Sequence, residues 1–358
     1  MATYDFVIVG AGPAGAATAL SLLQRGAKVA LIERRASPED RMGESLRGIA
    51  REALTELGAW DAFQRLERRP THRHRAAWGG RVEERDSIQG PYGPDLHLDR
   101  ARFDALLLDC AVARGATLLR PATLRTLRTE ARRPLLTLAH GHERVELAAR
   151  TVIDATGRGA TVARRFGAVR RDSDRLIGVA RSFVRGAREP STLVEAADDG
   201  WWYSAPQPGG RTVALFVTDG DSFAREARRG AVWAQCLATA PLTRARLNDA
   251  EPAGVARSYL ATPARLDWDL RAPVLPVGDA ALSFDPIAAD GLCFALRSGI
   301  EAAAALTGAR GSVRAYHAGV VAIFETHLAR REQIYASERA LRATRFWQRK
   351  RGDTQPVG

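Results

Sequence analysis

Tyr4-Asp5-Phe6-Val7-Ile8-Val9-Gly10-Ala11-Gly12-Pro13-Ala14-Gly15 lies at the start of the chain and decides its architecture. The β-branched run over residues 5–9 predicts a buried strand. A glycine turn follows it, and an Ala/Leu-rich stretch from about residue 13 to residue 25, closed by Gly26, predicts a helix. Residues 28–33 predict a second buried strand, which completes a β-α-β unit and seeds a parallel sheet. Each glycine has its own task. Gly10 permits the tight turn, Gly12 lets a pyrophosphate approach the backbone, and Gly15 lets helix pack closely on strand. A helix opening at Pro13-Ala14 offers free N–H groups and partial positive charge to that diphosphate. Glu33, with Arg34 beside it, ends the second strand where ribose hydroxyls are bound, and a carboxylate there disfavours a 2′-phosphate. The pattern therefore predicts a resident dinucleotide other than NADP.

The other end of the chain decides between FAD and NAD. Val277-Gly278-Asp279-Ala280-Ala281 follows a strand predicted at 274–277, and Phe284-Asp285-Pro286 and Ala289-Asp290-Gly291-Leu292 follow in turn. A strand-end Gly-Asp pair can bring the Asp279 carboxylate to a ribityl hydroxyl. A helix from Gly291 to about residue 306 would aim its N-terminus at a flavin's pyrimidine edge and stabilise the charge of the reduced ring. FAD is the expected cofactor. No second glycine fingerprint appears, so NADH or NADPH would bind transiently, or a separate reductase would deliver electrons.

Between these ends the pattern changes. Helices are predicted at 49–57 and 98–114, with an irregular excursion over about 70–97. A hairpin is predicted from 134–138 and 143–147 around Gly141-His142, then a strand at 151–154. Strands at 177–184, 201–205 and 212–219 make the middle third an antiparallel sheet, and residues 313–349 read as mostly helical. The expected fold class is α/β: a Rossmann-type FAD-binding domain (1–70, 98–165 and 272–310) interleaved with an antiparallel-sheet substrate domain (71–97 and 166–271), plus C-terminal helices (311–358).

The set Gly10–Gly15, Gly43-Glu44-Ser45, Leu98-Asp99-Arg100 with Phe103-Asp104, Asp154-Ala155-Thr156-Gly157, Gly278-Asp279 and Asp285-Pro286 resembles FAD-dependent monooxygenases. Within these it is similar to the branch holding geranylgeranyl reductases, flavin-dependent halogenases and the flavoproteins that mature tryptophylquinone cofactors. The resemblance implies that Glu44 and Ser45 lie by the flavin and that Arg100, Asp154, Gly157, Gly291 and Leu292 help hold FAD. It also implies that Pro286 faces the place where oxygen reacts, and that oxygen reaches an electron-rich ring through a flavin C4a-hydroperoxide.

Related halogenases carry a Trp-x-Trp-x-Ile segment and an essential lysine. Here the matching stretch is Gly200-Trp201-Trp202-Tyr203-Ser204-Ala205-Pro206, and Lys28 and Lys350 are the only lysines, which weighs against halogenation. That stretch and the tail Glu338…Arg345-Phe346-Trp347 look closer to the quinone-maturing group, in which a tryptophan of a partner protein is hydroxylated. Trp201 and Tyr203 are accordingly candidates, with Pro286, for the walls of an aromatic substrate pocket. A bland reading places the same aromatics in the sheet core. In place of the family's small Ser/Gly run, Ala288-Ala289-Asp290 follows Asp285-Pro286. The expected function is hydroxylation of an aromatic group, indole- or phenol-like, free or on a partner protein. The alternatives are an isoprenoid reductase of the geranylgeranyl type and a non-catalytic flavin-bound partner of an acidic protein.

Composition sets outer bounds. The chain has 358 residues, 46% hydrophobic and 26% charged, a globular mix. Its net charge of +12 is carried almost wholly by arginines spread along the chain, without the aromatic-interleaved stripe that stacks bases, so no nucleic acid is expected. No apolar run suggests a membrane span, and no basic region precedes the first strand; a cytoplasmic protein is expected. Cys110, Cys236 and Cys293 are odd in number and far apart, which argues against disulfides, and no histidine spacing suggests a metal site. Cys293 lies inside the last motif, where it either packs or links covalently to flavin.

Overall fold

The computed structural model describes residues 1–37, 44–86, 91–130, 133–184, 190–220, 231–308 and 311–351. Two seven-stranded sheets organise them. In the first, strand Ala2–Val9 pairs in parallel with Val29–Ile32 on one side and with Glu143–Asp154 on the other. Thr117–Leu119 extends it beyond Val29–Ile32, and Val274–Pro276 runs parallel to the end of Glu143–Asp154. Arg133–His140 and Ala122–Glu130 add an antiparallel meander. The parallel strands are apolar almost throughout, as strands covered on both faces must be.

Register places the motifs. Val9 pairs with Asp154, and Asp154 with Pro276, so three motif turns leave the sheet at the same carboxyl edge. Helix Pro13–Leu23 and helix Gly291–Thr307 lie against each other at closest approach. A Cβ on Gly299 would stand 2.8 Å from Thr18 N and 2.9 Å from Ala14 O. Glycine is required there because backbone meets backbone.

The second sheet runs in the order Glu251–Leu260, Leu176–Val184, Arg211–Asp219, Gly200–Gln207, Ser191–Ala197, Arg73–Trp78, Arg81–Asp86. It is antiparallel except where Ser191–Ala197 runs parallel to Arg73–Trp78. Two three-stranded sheets connect it to the first, one of them formed by Ser45–Leu46, Asp95–Leu98 and Arg68–Thr71. The C-terminal segment comprises helices Val313–Ser337 and Arg345–Lys350. It is not one continuous run, because buried Glu338 turns the chain. Its carboxylate accepts from the N–H groups of Gly79, Ala340 and Leu341. The mixed α/β architecture with C-terminal helices is the fold class expected from the sequence.

Candidate active site

The glycine turn has the shape of a phosphate cradle. Gly10 has φ +105°, and a Cβ there would lie 2.2 Å from Ala155 O. At Gly15 a Cβ would lie 2.0 Å from Gly10 O, whereas at Gly12 it would meet nothing within 4 Å. Crowding forbids a side chain at the first two, and open space lies in front of the third. The helix entered through Pro13 and Ala14 has neither a side-chain cap nor an acidic residue in its first turn. Its first amides therefore remain available to an anion. Glu33 braces the turn, accepting from Ala11 N at 3.1 Å and from Arg35 N at 2.9 Å. It is half-buried, and Arg34 beside it is exposed.

A second open cradle stands at the start of helix Gly291–Thr307. A Cβ on Gly291 would meet nothing within 4 Å, while Leu292 behind it is buried. The preceding Asp290 does not cap the helix with its side chain. Its carboxylate instead pairs with Arg47 at 2.5 Å, joining the loop after Ser45 to the loop before Gly291 across 243 residues of sequence. Gly278 adopts φ +56° with its would-be Cβ 2.5 Å from Ala14 Cβ, and its N–H donates to the buried Ser298 hydroxyl at 3.0 Å. Asp279 is half-exposed at this edge, 3.5 Å from Arg158 Nε.

Arg158 escaped the sequence reading. Largely buried, it donates to Thr262 O at 2.7 Å and to Phe284 O at 3.0 Å, tying the turn after Gly157 to the Gly278–Asp285 segment. Burial pushes its pKa down, and Asp279 opposes that shift. Its only signal was its position directly after the Asp154–Gly157 motif.

Two expectations need correction. Asp154 is fully buried, and its carboxylate accepts from Thr156 N, Thr156 Oγ1, Val162 N and Ala163 N at 2.6–2.9 Å. Four bonds fill its lone pairs, so its side chain shapes the Gly157 turn and has no face left for a nucleotide. Trp201 is 1% exposed, with its indole N–H bonded to Tyr335 Oη at 2.8 Å. It packs among Tyr335, Phe346 and Trp347 and is a core residue instead of a pocket wall. Alternation puts Trp202 on the opposite face, against Phe216 and Trp233.

Tyr203 returns to the Trp201 face but is only half-buried, and its hydroxyl lies 2.6 Å from Ser45 Oγ. Ser45 Oγ lies 3.4 Å from His97 Nδ1, and His97 Nε2 lies 3.2 Å from Thr192 Oγ1. Glu44, the other motif residue here, is buried; Gly43 lies outside the described residues. Pro286 is half-buried in a turn closed by Asp285, whose carboxylate accepts from Ile287 N at 3.0 Å. Arg100 is engaged with Asp104 one helical turn on, at 3.1 Å. Burial raises the Cys293 thiol to about 11, which keeps it protonated and poorly nucleophilic at neutral pH.

A cleft of about 210 Å³ follows the outer side of the loop after Ser45, lined by Arg47, Arg51, Trp60, Phe63, Arg68 and Tyr92 among others. Among the described residues no cluster of His, Cys, Asp and Glu could hold a metal, and no helix is long and apolar enough to cross a membrane.

A model of the FAD binding domain family matches residues 3–311. The chain belongs to this family. Membership accords with the open space in front of Gly12 and of Gly291. The protein is an FAD-dependent oxidoreductase of the monooxygenase-like kind. It is 30% identical over 370 residues to LodB of Marinomonas mediterranea, a protein named as an FAD-dependent oxidoreductase, covering 98% of this chain and 97% of LodB. Among solved structures it resembles the myxobacterial chondrochloren halogenase CndH, with TM-score 0.89 and 21% identity over 98% of this chain and 86% of that one. It also resembles the peptidyl tryptophan dihydroxylase QhpG, with TM-score 0.78 and 22% identity over 98% and 79% of the two chains.

Proposed function

We propose that this oxidoreductase hydroxylates an aromatic group, indole- or phenol-like, carried by a small molecule or by a residue of a partner protein. The observation that carries the choice over halogenation is the state of its lysines. Lys28 lies with its Nζ over the Tyr4 ring, at the amino end of the first strand and away from the carboxyl edge. Lys350 is buried between Asp174 at 2.7 Å and Asp219 at 2.6 Å. An ammonium held by two carboxylates is unsuited to capturing an electrophilic halogen. QhpG, named a peptidyl tryptophan dihydroxylase, supports the same reading, and CndH, named a halogenase, is the rival that the lysines set aside.

Gly10, Gly12, Gly15 and the Pro13-Ala14 helix start would hold the diphosphate, Glu33 the adenosine ribose, Asp279 the ribityl chain, and the Gly291-Leu292 amides the flavin ring. When bound, FAD supplies the redox chemistry that activates oxygen. The chain's share is to orient the ring and exclude water. Pro286, offering no N–H, leaves an apolar surface at the turn. Tyr203 and Ser45 contribute a pair of hydroxyls 2.6 Å apart. The electron donor in this reading is NADH or NADPH visiting transiently, or a separate reductase.

Incubation of the FAD-loaded protein with reductant, oxygen and panels of indoles, phenols and tryptophan-bearing peptides tests the proposal by mass spectrometry. Gain of one oxygen is the expected product, with or without added bromide. A brominated product, or hydrogen peroxide as the sole product in every arm, overturns it.

A further inference from the structure

Asp285 is fully buried, and its two carboxylate oxygens have separate duties. Oδ1 closes the Pro286 turn through Ile287 N. Oδ2 accepts from Arg331 Nε at 2.7 Å and from the Tyr335 hydroxyl at 3.0 Å. Its backbone N–H donates to His327 Nε2 at 3.1 Å. His327, Arg331 and Tyr335 follow at four-residue spacing on helix Val313–Ser337, so one stripe of one helix grips a single residue by its amide and one of its oxygens.

The grip has outer anchors. Tyr335 accepts from Trp201 of the second sheet at 2.8 Å. Arg331 also pairs with Asp174, Asp174 with Lys350, Lys350 with Asp219, and Asp219 with Arg349 at 3.2 Å. Lys350 and Asp219 are 4% and 2% exposed, so both charges have lost most of their water. Apolar side chains of similar volume would hold helix to sheet at least as well. What they would not do is fix the direction of one carboxylate oxygen, as the charged and hydroxyl donors on Oδ2 do, while Oδ1 is left to close the turn.

We propose that Arg331 and Tyr335 are positioning residues that set the Asp285-Pro286 turn against the flavin, with Lys350 of the last helix as their distant anchor. This rests on the turn lying beside the flavin in the proposed function. No bond is made or broken; the stripe fixes where the turn stands relative to Gly291 and so tunes bound FAD.

The test uses full-length, FAD-loaded protein and reads FAD affinity, visible spectrum and midpoint potential beside melting temperature. Tyr335→Phe, which removes one hydroxyl at constant shape, is expected to weaken FAD binding about tenfold and to shift potential and spectrum. Arg331→Met should move all three further in the same direction, Arg331→Lys should restore part of the change, and Lys350→Met should give smaller shifts of the same sign. If Arg331→Met does not fold, Tyr335→Phe and Arg331→Lys decide. Lowered melting temperature with unchanged FAD affinity, spectrum and potential in these variants overturns the inference, since a merely structural role moves stability alone. Product identity does not enter, so a wild-type protein that hydroxylates nothing defeats the proposed function and leaves this test intact.

Discussion

The hydroxyls of Ser45 and Tyr203 lie 2.6 Å apart, although the two residues are 158 positions apart in sequence and belong to different sheets. This contact joins the loop expected beside the flavin to the strand expected beside the substrate. Burial, with the Glu44 carboxylate close by, holds the Tyr203 phenol far above its ordinary pKa. The neutral hydroxyl is the form that persists, so Tyr203 can donate one hydrogen bond and accept others at any physiological pH.

Tyr203→Phe is therefore expected to release the loop without opening a cavity. Leaving a partly buried hydroxyl short of a partner costs about 1–3 kcal/mol, part of which should appear as weaker FAD binding. FAD titration of the apo protein by fluorescence quenching, beside thermal melts, measures both. An unchanged FAD Kd would mean that the contact does not anchor the loop.

Gly10 and Gly12 should respond differently to one added methyl group. At Gly10 the Cβ meets Ala155 O at 2.2 Å with φ +105°, so Gly10→Ala should cost on the order of 1–3 kcal/mol of stability even without cofactor. At Gly12 a Cβ enters open space, so Gly12→Ala should melt within a few degrees of wild type as apo protein and yet lose FAD affinity. Equal FAD affinity in Gly12→Ala and wild type would show that the cradle does not hold the diphosphate.

Much of this was legible because local pattern and tertiary role coincide. Gly10 to Gly15 encode turn, helix start and close packing together, and residues 177–184, 201–205 and 212–219 read as strands because burial alternates or saturates. Arg81–Asp86 did not, because an edge strand exposed on every residue has no apolar period to read. Glu251–Leu260, with Pro252 and Gly254 inside it, is concealed in the same way. Trp201, Trp202 and Tyr203 announced aromatic density, but which face meets protein is settled by the distant helices carrying Tyr335 and Trp347. Arg158 acts through partners more than a hundred residues away, as Glu338 does through Gly79, and no local window contains that information.

His97 predicts how stability depends on pH. Burial, reinforced by His74, Arg246 and Arg69, holds its pKa down to about 3. The unfolded ring titrates near 6.5, so between these values the unfolded chain binds a proton that the folded chain refuses. The contribution is fully present above about pH 6.5 and declines as pH falls through the window, by up to about 1.4 kcal/mol per pH unit. His327, also shifted down by burial, acts in the same direction. Urea denaturation from pH 7.5 to 4.5 should show this slope, and His97→Gln should flatten it. A variant with the wild-type slope would assign the pH dependence elsewhere.

The Arg47–Asp290 pair makes a prediction about redox poise. Asp290 stands immediately before Gly291, whose helix end is proposed to meet the flavin, and Arg47 balances its charge at 2.5 Å. Removing Arg47 leaves a carboxylate that disfavours the anionic reduced ring, so Arg47→Gln should lower the midpoint potential. Asp290→Asn should raise it, because the guanidinium then acts alone. A unit charge several ångströms away in a partly buried setting amounts to on the order of 40 mV for a two-electron couple. The double variant should return near the wild-type value, since both charges vanish together. Added salt should shrink each single shift, the pair being partly exposed. Shifts of the same sign in both single variants would mean that they disturb the loop's shape and not its field, and would place this ion pair away from the flavin edge.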